Sequence, residues 1–426
     1  MPEWNLGRCA KLQGLNDLSA LVLRLVSRRG DAALRLEDIY CEGLTRKTRL
    51  LISSGETSGD LYGAEMVKRL RPSVPGLEVF GLGGDRLASE GTRLVAHVRN
   101  LAVVGLLEVV THLRRLRGIF RRVLEEVDRD RPDLAVLIDY PDFNLRLARE
   151  LKNRGVRVVY YVSPQLWAWR GGRIRTVRET VARMLVIFPF EETLYRRAGV
   201  PVSFVGHPLL DVLRPEADPA AFVGRLGLDP GRPVVALLPG SRRQEVAHNL
   251  PPLVGAIDRI GGARPDVQFV LAAAPGLDPS LFGAHLGSRP VRVVAGQTQA
   301  VIGSATLALV ASGTATVETA LLGTPMVVVY RLAPLTYRLG RPFVRVDRFA
   351  MVNLIAERTV APELIQGDFT PERVAGEALG LLSDPERRRR MKADLDEVRR
   401  RLGGPGASAR AAEAVLEELG PGGGRH

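Results

Sequence analysis

Short, nearly unbroken apolar runs alternate with amphipathic stretches along most of the chain, and the alternation begins at Lys47. Arg49–Ser53 reads as a strand that enters a small polar turn, Ser54–Asp60, and then a helix, Leu61–Leu70. Strand-like runs recur at Leu77–Gly81, Leu134–Ile138, Val156–Val162, Met184–Phe188 and Ser203–Val205, with helical spacing between them, as in Phe143–Arg154. A strand buried on both sides has no polar face, so continuous apolar runs separated by helices predict a parallel sheet covered on both faces. The pattern lapses over His207–Arg232, where Pro, Asp and Gly accumulate. It resumes with strands expected at Val234–Leu238, Val267–Ala272, Val291–Val294, Leu307–Val310 and Met326–Tyr330, and with helices after the loops at Gly240 and Gly313. The expected architecture is α/β: two doubly wound, Rossmann-like domains, over 47–210 and 211–385, facing across a cleft. Closing helices follow in 386–419, packing back on the domains or on a partner, and a Gly/Pro tail over 420–426 is expected to be disordered. Ligands of such sheets lie beyond the carboxyl ends of the strands, which makes the cleft the expected site.

One helix has a distinct chemistry. Leu106, Val109, Val110, Leu113, Leu116, Phe120, Val123 and Val127 fall at helical spacing, with Arg114, Arg115, Arg117, Arg121 and Arg122 between them. Such a segment either lies on an anionic membrane surface, with Leu106, Val110, Leu113, Arg114 and Arg117 as contacts, or turns its stripe to the core. The net charge of +13 points to nucleic acid, anionic membrane or phosphorylated substrates. The arginines are scattered and no nucleic-acid-binding signature is present, so no nucleic-acid partner is expected. No apolar run reaches the roughly 18–20 residues of a spanning helix. Met1–Arg24 has no signal-peptide core, and two cysteines, Cys9 and Cys41, are too few to staple this chain. A cytoplasmic protein is expected, with residues 1–46 an extension that carries no recognisable site.

Two loops of the second half suit a nucleoside diphosphate. Leu237–Glu245 (LLPGSRRQE) follows a strand and opens a helix, so Gly240, Ser241 and the free N–H groups there favour an anion, and Arg242 or Arg243 adds a charged fork. Ala311–Glu318 (ASGTATVE) repeats the arrangement: Ser312, Gly313 and Thr314 leave room against the backbone, and Glu318, one turn on, either accepts bonds from ribose hydroxyls or is an acidic residue of the first helical turn stabilised by the helix dipole. In the first half, Ser53–Asp60 (SSGETSGD) and Gly81–Asp85 fit neither the dinucleotide nor the ATP fingerprint. Ile138–Asn144 (IDYPDFN) puts two carboxylates, Asp139 and Asp142, and an amide at a strand mouth. There an Asp either takes a proton from a sugar hydroxyl or caps the next helix. Tyr161–Arg170 adds Trp167 and Trp169, aromatic platforms or core residues.

Together SSGETSGDLYGA, IDYPDFN, YYVSPQLWAWR, FPFE with VGHPLLD, LLPGSRRQE, ASGTATVETALLGTPMVVVYR and VNLIAER, in that order from about Leu50 to Leu419, resemble the lipid-A-disaccharide synthases. The resemblance implies a GT-B fold and an inverting transfer from UDP-2,3-diacylglucosamine to the 6-hydroxyl of 2,3-diacylglucosamine 1-phosphate. It implies Asp142 as base with Asp139 as its less favoured partner, and Gly240, Ser241 and Arg242 on the diphosphate. Glu318 would hold the ribose, Ser312, Gly313, Thr314 and Asn353 would complete the donor pocket, and Gly55, Glu56, Ser58 and Gly59 would lie on the acceptor side. It further implies peripheral attachment to the inner face of the membrane, a homodimer, and no metal or cofactor. Residues 1–46 have no counterpart in the family pattern, and Arg243 stands where a small residue is commoner. The rival enzymes of the same fold are a UDP-GlcNAc 2-epimerase and the transferase of the peptidoglycan lipid precursor.

Overall fold

The computed structural model describes residues 47–100, 109–164, 172–274, 276–278, 280–332 and 348–420, with backbone alone at 100 and 109–113. Two parallel sheets organise them. The first is 7-stranded: β1 (Arg49–Ser54), β2 (Glu78–Gly83), β3 (Arg93–His97), β4 (Leu134–Ile138), β5 (Arg157–Tyr161), β6 (Arg183–Val186) and β7 (Val202–Phe204), in the order β3-β2-β1-β4-β5-β6-β7. The second is 6-stranded: β8 (Val234–Leu238), β9 (Gln268–Ala273), β10 (Val291–Ala295), β11 (Leu307–Ala311), β12 (Met326–Tyr330) and β13 (Glu363–Ile365), in the order β10-β9-β8-β11-β12-β13. In both sheets the strand order reverses at one place, between β1 and β4 and between β8 and β11. At such a switch point the connecting helices leave to opposite faces, so a crevice opens at the strand ends. All four loops singled out above, after β1, β4, β8 and β11, open at these two crevices.

The central strands β4, β8 and β11 are buried along their whole length, as their apolar runs predict. One face of the first sheet (Leu51, Ala135, Leu137, Tyr160) packs under the helices Val109–Arg129 and Pro141–Asn153. The other face (Leu50, Ile52, Val136, Ile138) belongs to a core that continues into the second domain. In the Val109–Arg129 helix, Ile119, Val123 and Val127 are buried while Arg114, Arg117, Arg121 and Arg122 are exposed, so the core-facing reading holds for its C-terminal half. Leu106 and the side chains of Val110 and Leu113 lie outside the described residues, as do Trp167, Trp169, residues 1–46 and the 421–426 tail.

The first helix starts at Thr57, earlier than the polar composition of Ser54–Asp60 suggests. Small residues let it press against the sheet: a Cβ on Gly59 would stand 2.7 Å from Ser54 Oγ, and one on Gly63 2.9 Å from Ile138 Cδ1. Asp60, in its first turn, is buried and accepts the backbone N–H groups of Gly84 (2.5 Å), Arg86 (3.1 Å) and Leu87 (3.2 Å), which makes the Gly83-Gly84 turn a structural element.

The chain passes between the domains twice. After β7 it leaves through His207, and after the helix Pro385–Arg401, which packs on the second domain, it returns as the helix Ala407–Leu419 against Thr57–Leu70, β4 and β5. The two crossings touch, His207 N–H donating to the Leu402 carbonyl at 3.0 Å. The returning helix is pinned by Asp211, which accepts Gly406 N–H (2.5 Å) and Ser408 N–H (2.7 Å), by Arg410 to the Val205 carbonyl (2.8 Å), and by the pairs Arg157–Glu418 and Arg183–Glu417.

Candidate functional site

The turn after β4 is held in an uncommon conformation. Asp139 (φ 46°) and Tyr140 (φ 50°) are consecutive non-glycine residues in the left-handed region, a geometry that persists only when its surroundings over-determine it. Asn144, fully buried, supplies much of that. Its amide nitrogen donates to the carbonyls of Asp139 (2.7 Å), Ile138 (3.1 Å) and Ser53 (3.2 Å), and its oxygen accepts from Ser53 Oγ (2.7 Å). The Tyr160 hydroxyl donates to the Asp139 carbonyl at 2.6 Å. Tyr140 lies flat on the backbone of Gly55, where a Cβ would come within 2.1 Å of its ring.

This turn gives the two aspartates opposite surroundings. Burial, and then the Glu56 carboxylate, raise the Asp139 carboxyl to about 6, against the Tyr140 N–H and Arg242, which lower it. Asp142 sits in the first turn of the next helix with its side chain 74% exposed, ion-paired to Arg173. These surroundings favour Asp139, rather than the expected Asp142, as the carboxylate that faces the crevice. The motif alone does not reveal that the chain turns left-handed between the two residues and sends them to different places.

Across the crevice, Gly240 (φ 136°) takes a conformation that favours glycine, and Glu245, one turn into its helix, accepts the N–H groups of Ser241 (2.9 Å) and Arg242 (3.3 Å). Buried Asn249 braces the loop, donating to the Pro239 carbonyl (2.8 Å) and accepting Arg331 N–H (2.9 Å). Arg242 reaches over to the first domain, where its Nη2 meets Glu56 Oε1 at 2.8 Å. Arg243 is exposed and contributes positive charge near Asp278, so of the two arginines it is Arg242 that lies in the crevice.

In the second loop, Gly313 (φ 148°) and Thr314 are exposed, with open space where a Gly313 side chain would be, and Ser312 Oγ donates to the Phe349 carbonyl at 3.1 Å. Burial raises the Glu318 carboxyl, opposed by a hydrogen bond to Gln299. Tyr62, which sequence reasoning passed over, stands fully buried between the domains: burial, then the charges of Glu318 and Asp139, push its phenol far up. Two of the expected site residues are buried. Asn353 is fully buried, donating to the Ala361 carbonyl (2.8 Å) and Glu363 Oε1 (2.6 Å) and accepting Val360 N–H (2.8 Å) and Ala361 N–H (3.0 Å). It braces the pocket wall through Glu363, which accepts Phe349 N–H at 2.8 Å. Gly59, within the first helix, is buried against Ser54 and Ile138, while Gly55, Glu56 and Ser58 keep exposure toward the crevice end of β1. Among the described residues no group of three or more His, Cys, Asp or Glu is arranged to hold a metal ion.

A family model described as lipid-A-disaccharide synthetase matches residues 50–417. The chain belongs to this family. A lipid-A-disaccharide synthase of Koribacter versatilis is 48% identical over 378 residues, covering 86% of this chain and 98% of that protein. One of Myxococcus xanthus is 44% identical over 382 residues, 89% and 100% of the two chains. Among solved structures, the UDP-GlcNAc 2-epimerase of Neisseria meningitidis bound to UDP-GlcNAc superposes with a TM-score of 0.61 at 12% identity, covering 87% of this chain and 100% of that one. The calicheamicin glycosyltransferase CalG4 gives 0.55 at 18%, covering 88% and 99%. Those two likenesses speak to the fold, which is GT-B, and the lipid-A-disaccharide synthetase family makes this chain a glycosyltransferase of lipid A biosynthesis.

Proposed function

We propose that the chain condenses UDP-2,3-diacylglucosamine with 2,3-diacylglucosamine 1-phosphate, forming the β-1,6-linked disaccharide 1-phosphate and UDP. The observation that carries this reading is the meeting of Asp139, Glu56 and Arg242 at facing switch-point crevices, with Arg242 bridging to Glu56 at 2.8 Å. The acceptor's 6-oxygen attacks the donor's C1 while Asp139 takes the hydroxyl proton. The C1–O bond to phosphate breaks with its electron pair on the departing UDP, and attack from the opposite face inverts C1. Arg242 and the N-terminus of the Arg243–Ala263 helix stabilise the charge that accumulates on the leaving diphosphate. Glu318 binds the ribose hydroxyls beside the open Gly313–Thr314 backbone, and a carboxyl near 6 suits proton abstraction close to neutral pH. Asn144 and Gly55 position the base, and Asn353 and Asn249 position the donor loops.

The test is direct: purified protein is incubated with both acylated substrates and the product identified by mass spectrometry. UDP release without disaccharide counts against the reading. Work at the inner, anionic membrane surface is part of the proposal, supported by the exposed Arg114, Arg117, Arg121 and Arg122 on one helix; among the described residues no helix is long and apolar enough to cross a membrane. Salt-sensitive co-sedimentation with anionic vesicles, lost in Arg114→Glu/Arg117→Glu, is the expected result.

A further inference from the structure

Glu56 belongs to the loop after β1 in the first domain and Arg242 to the loop after β8 in the second, so their ion pair is a contact made across the cleft. Both side chains remain solvent-accessible, 64% for Arg242 and 44% for Glu56, and an exposed pair of this kind holds weakly. Arg242 also has a second carboxylate close by, Glu245 Oε1 at 3.4 Å, while Glu245 Oε2 covers the N–H groups of Ser241 and Arg242. The positive end of the second domain is thus occupied in this structure by two of the chain's own carboxylates. A diphosphate carries more charge and more acceptor oxygens than either of them, so it competes well for the guanidinium.

The groups that face Asp139 come from four directions. They are Glu56 from the loop after β1, Tyr62 from the helix behind it, Tyr160 from β5, and Arg242 from the second domain; the Asp142–Arg173 pair lies on the far side of the turn. Of these, Glu56 and Arg242 are the charged neighbours that act on its carboxyl, in opposite senses: Glu56 raises it, and the paired Arg242 partly offsets that.

We propose that the Glu56–Arg242 pair is an exchangeable latch: the donor's diphosphate takes Arg242 away from Glu56, and the Glu56 carboxylate, no longer offset by its cation, strengthens Asp139 further as proton acceptor when donor is bound. Glu56 is then a positioning residue whose action on the base grows as donor arrives. The inference rests on the donor reading above, and the experiment separates the two.

Calorimetric titration with UDP alone is compared for the wild type, Glu56→Gln, Arg242→Ala and the double variant. Glu56→Gln is expected to bind UDP about two- to fivefold more tightly, the worth of an exposed ion pair that no longer has to be broken. In the Arg242→Ala background the same substitution is expected to bring no gain, because the effect passes through Arg242. An equal gain in both backgrounds means that Glu56 acts as a bare charge on the ligand, and no gain in either means that no exchange occurs; each overturns the latch. With substrates, the acid limb of kcat is expected at higher pH than that of kcat/KM for the donor in the wild type, with the separation shrinking in Glu56→Gln. Coincident limbs in the wild type overturn this action on the base. The titrations need no acceptor, so they decide the exchange even where no disaccharide forms, whereas failure of the wild type to bind UDP overturns both readings.

Discussion

Asp139 and Asp142 are three positions apart and differ in almost everything that bears on reactivity. One is half-buried beside a carboxylate and an arginine from opposite domains; the other is exposed and salt-bridged in the first turn of a helix. Asp139→Asn is expected to lower kcat by about 10²–10⁴ with UDP binding kept, and Asp142→Asn to cost far less; comparable losses in single-turnover assays would refute the assignment. Gly55→Ala tests the support beneath. Its Cβ would overlap the Tyr140 ring, so the ring and the left-handed turn must shift, and a stability loss of about 1–3 kcal/mol in chemical denaturation is expected. Residue types and their order were legible in the sequence: the acid-bearing loops, the Pro-Gly turn and the small-residue loop all open at the two switch-point crevices. What was not legible is which way each side chain faces. Asn353, which the family resemblance put in the donor pocket, is fully buried, and Tyr62, within the first helix as expected, is buried where the charges of Glu318 and Asp139 both reach it.

At the level of elements, strands with long apolar runs were readable because burial on both faces writes itself into composition. Those that escaped were β3, a partly exposed edge strand (RLVAH), and β13, three residues long. The Pro371–Ser383 helix went unassigned although Thr370 caps it by accepting Arg373 N–H. The returning helix Ala407–Leu419 was predicted as a helix, but nothing local tells which domain it joins. Its start depends on Asp211, whose carboxyl is pushed up by burial but pulled lower overall by the N–H groups of Ser408 and Gly406. A carboxyl lowered on folding stabilises above its unfolded value near 4 and loses that contribution as pH falls through the folded value. Asp211→Ala is therefore expected to speed hydrogen exchange across 407–419 at neutral pH, while β4 and β8 stay protected. Uniform loss of protection would instead mean that the helix is not an independently opening unit.

Over the whole molecule the two domains meet at His207, fully buried between Tyr62 and Phe188. Its Nδ1 accepts Leu209 N–H at 3.2 Å, so the neutral ring fits, and burial lowers its pKa to about 3. Between that value and the ordinary value near 6.5 the unfolded chain binds a proton that the folded one refuses, so stability is full above about 6.5 and falls as pH drops toward 3. The slope of unfolding free energy against pH in this window is expected to be shallower in His207→Gln, by up to about 1.4 kcal/mol per pH unit. An unchanged slope would show that other groups govern acid unfolding. The domain count was readable from the lapse over His207–Arg232; the second crossing was readable only as closing helices that pack back on the domains or on a partner, because it is a contact between distant parts of the chain.

That second crossing has a consequence during synthesis. The first sheet ends with β7 at Phe204, yet Ala411, Ala412, Val415 and Leu419, which complete its packing, lie at the far end of the chain. At ribosomal rates of ~5–20 residues per second, the first domain waits roughly 10–40 s for its last helix, with the flank of Thr57–Leu70 uncovered throughout. The half of the molecule that emerges first is the half that finishes last. Throughout that interval its bare flank is open to any helix of similar face, including the same helix from a neighbouring nascent chain.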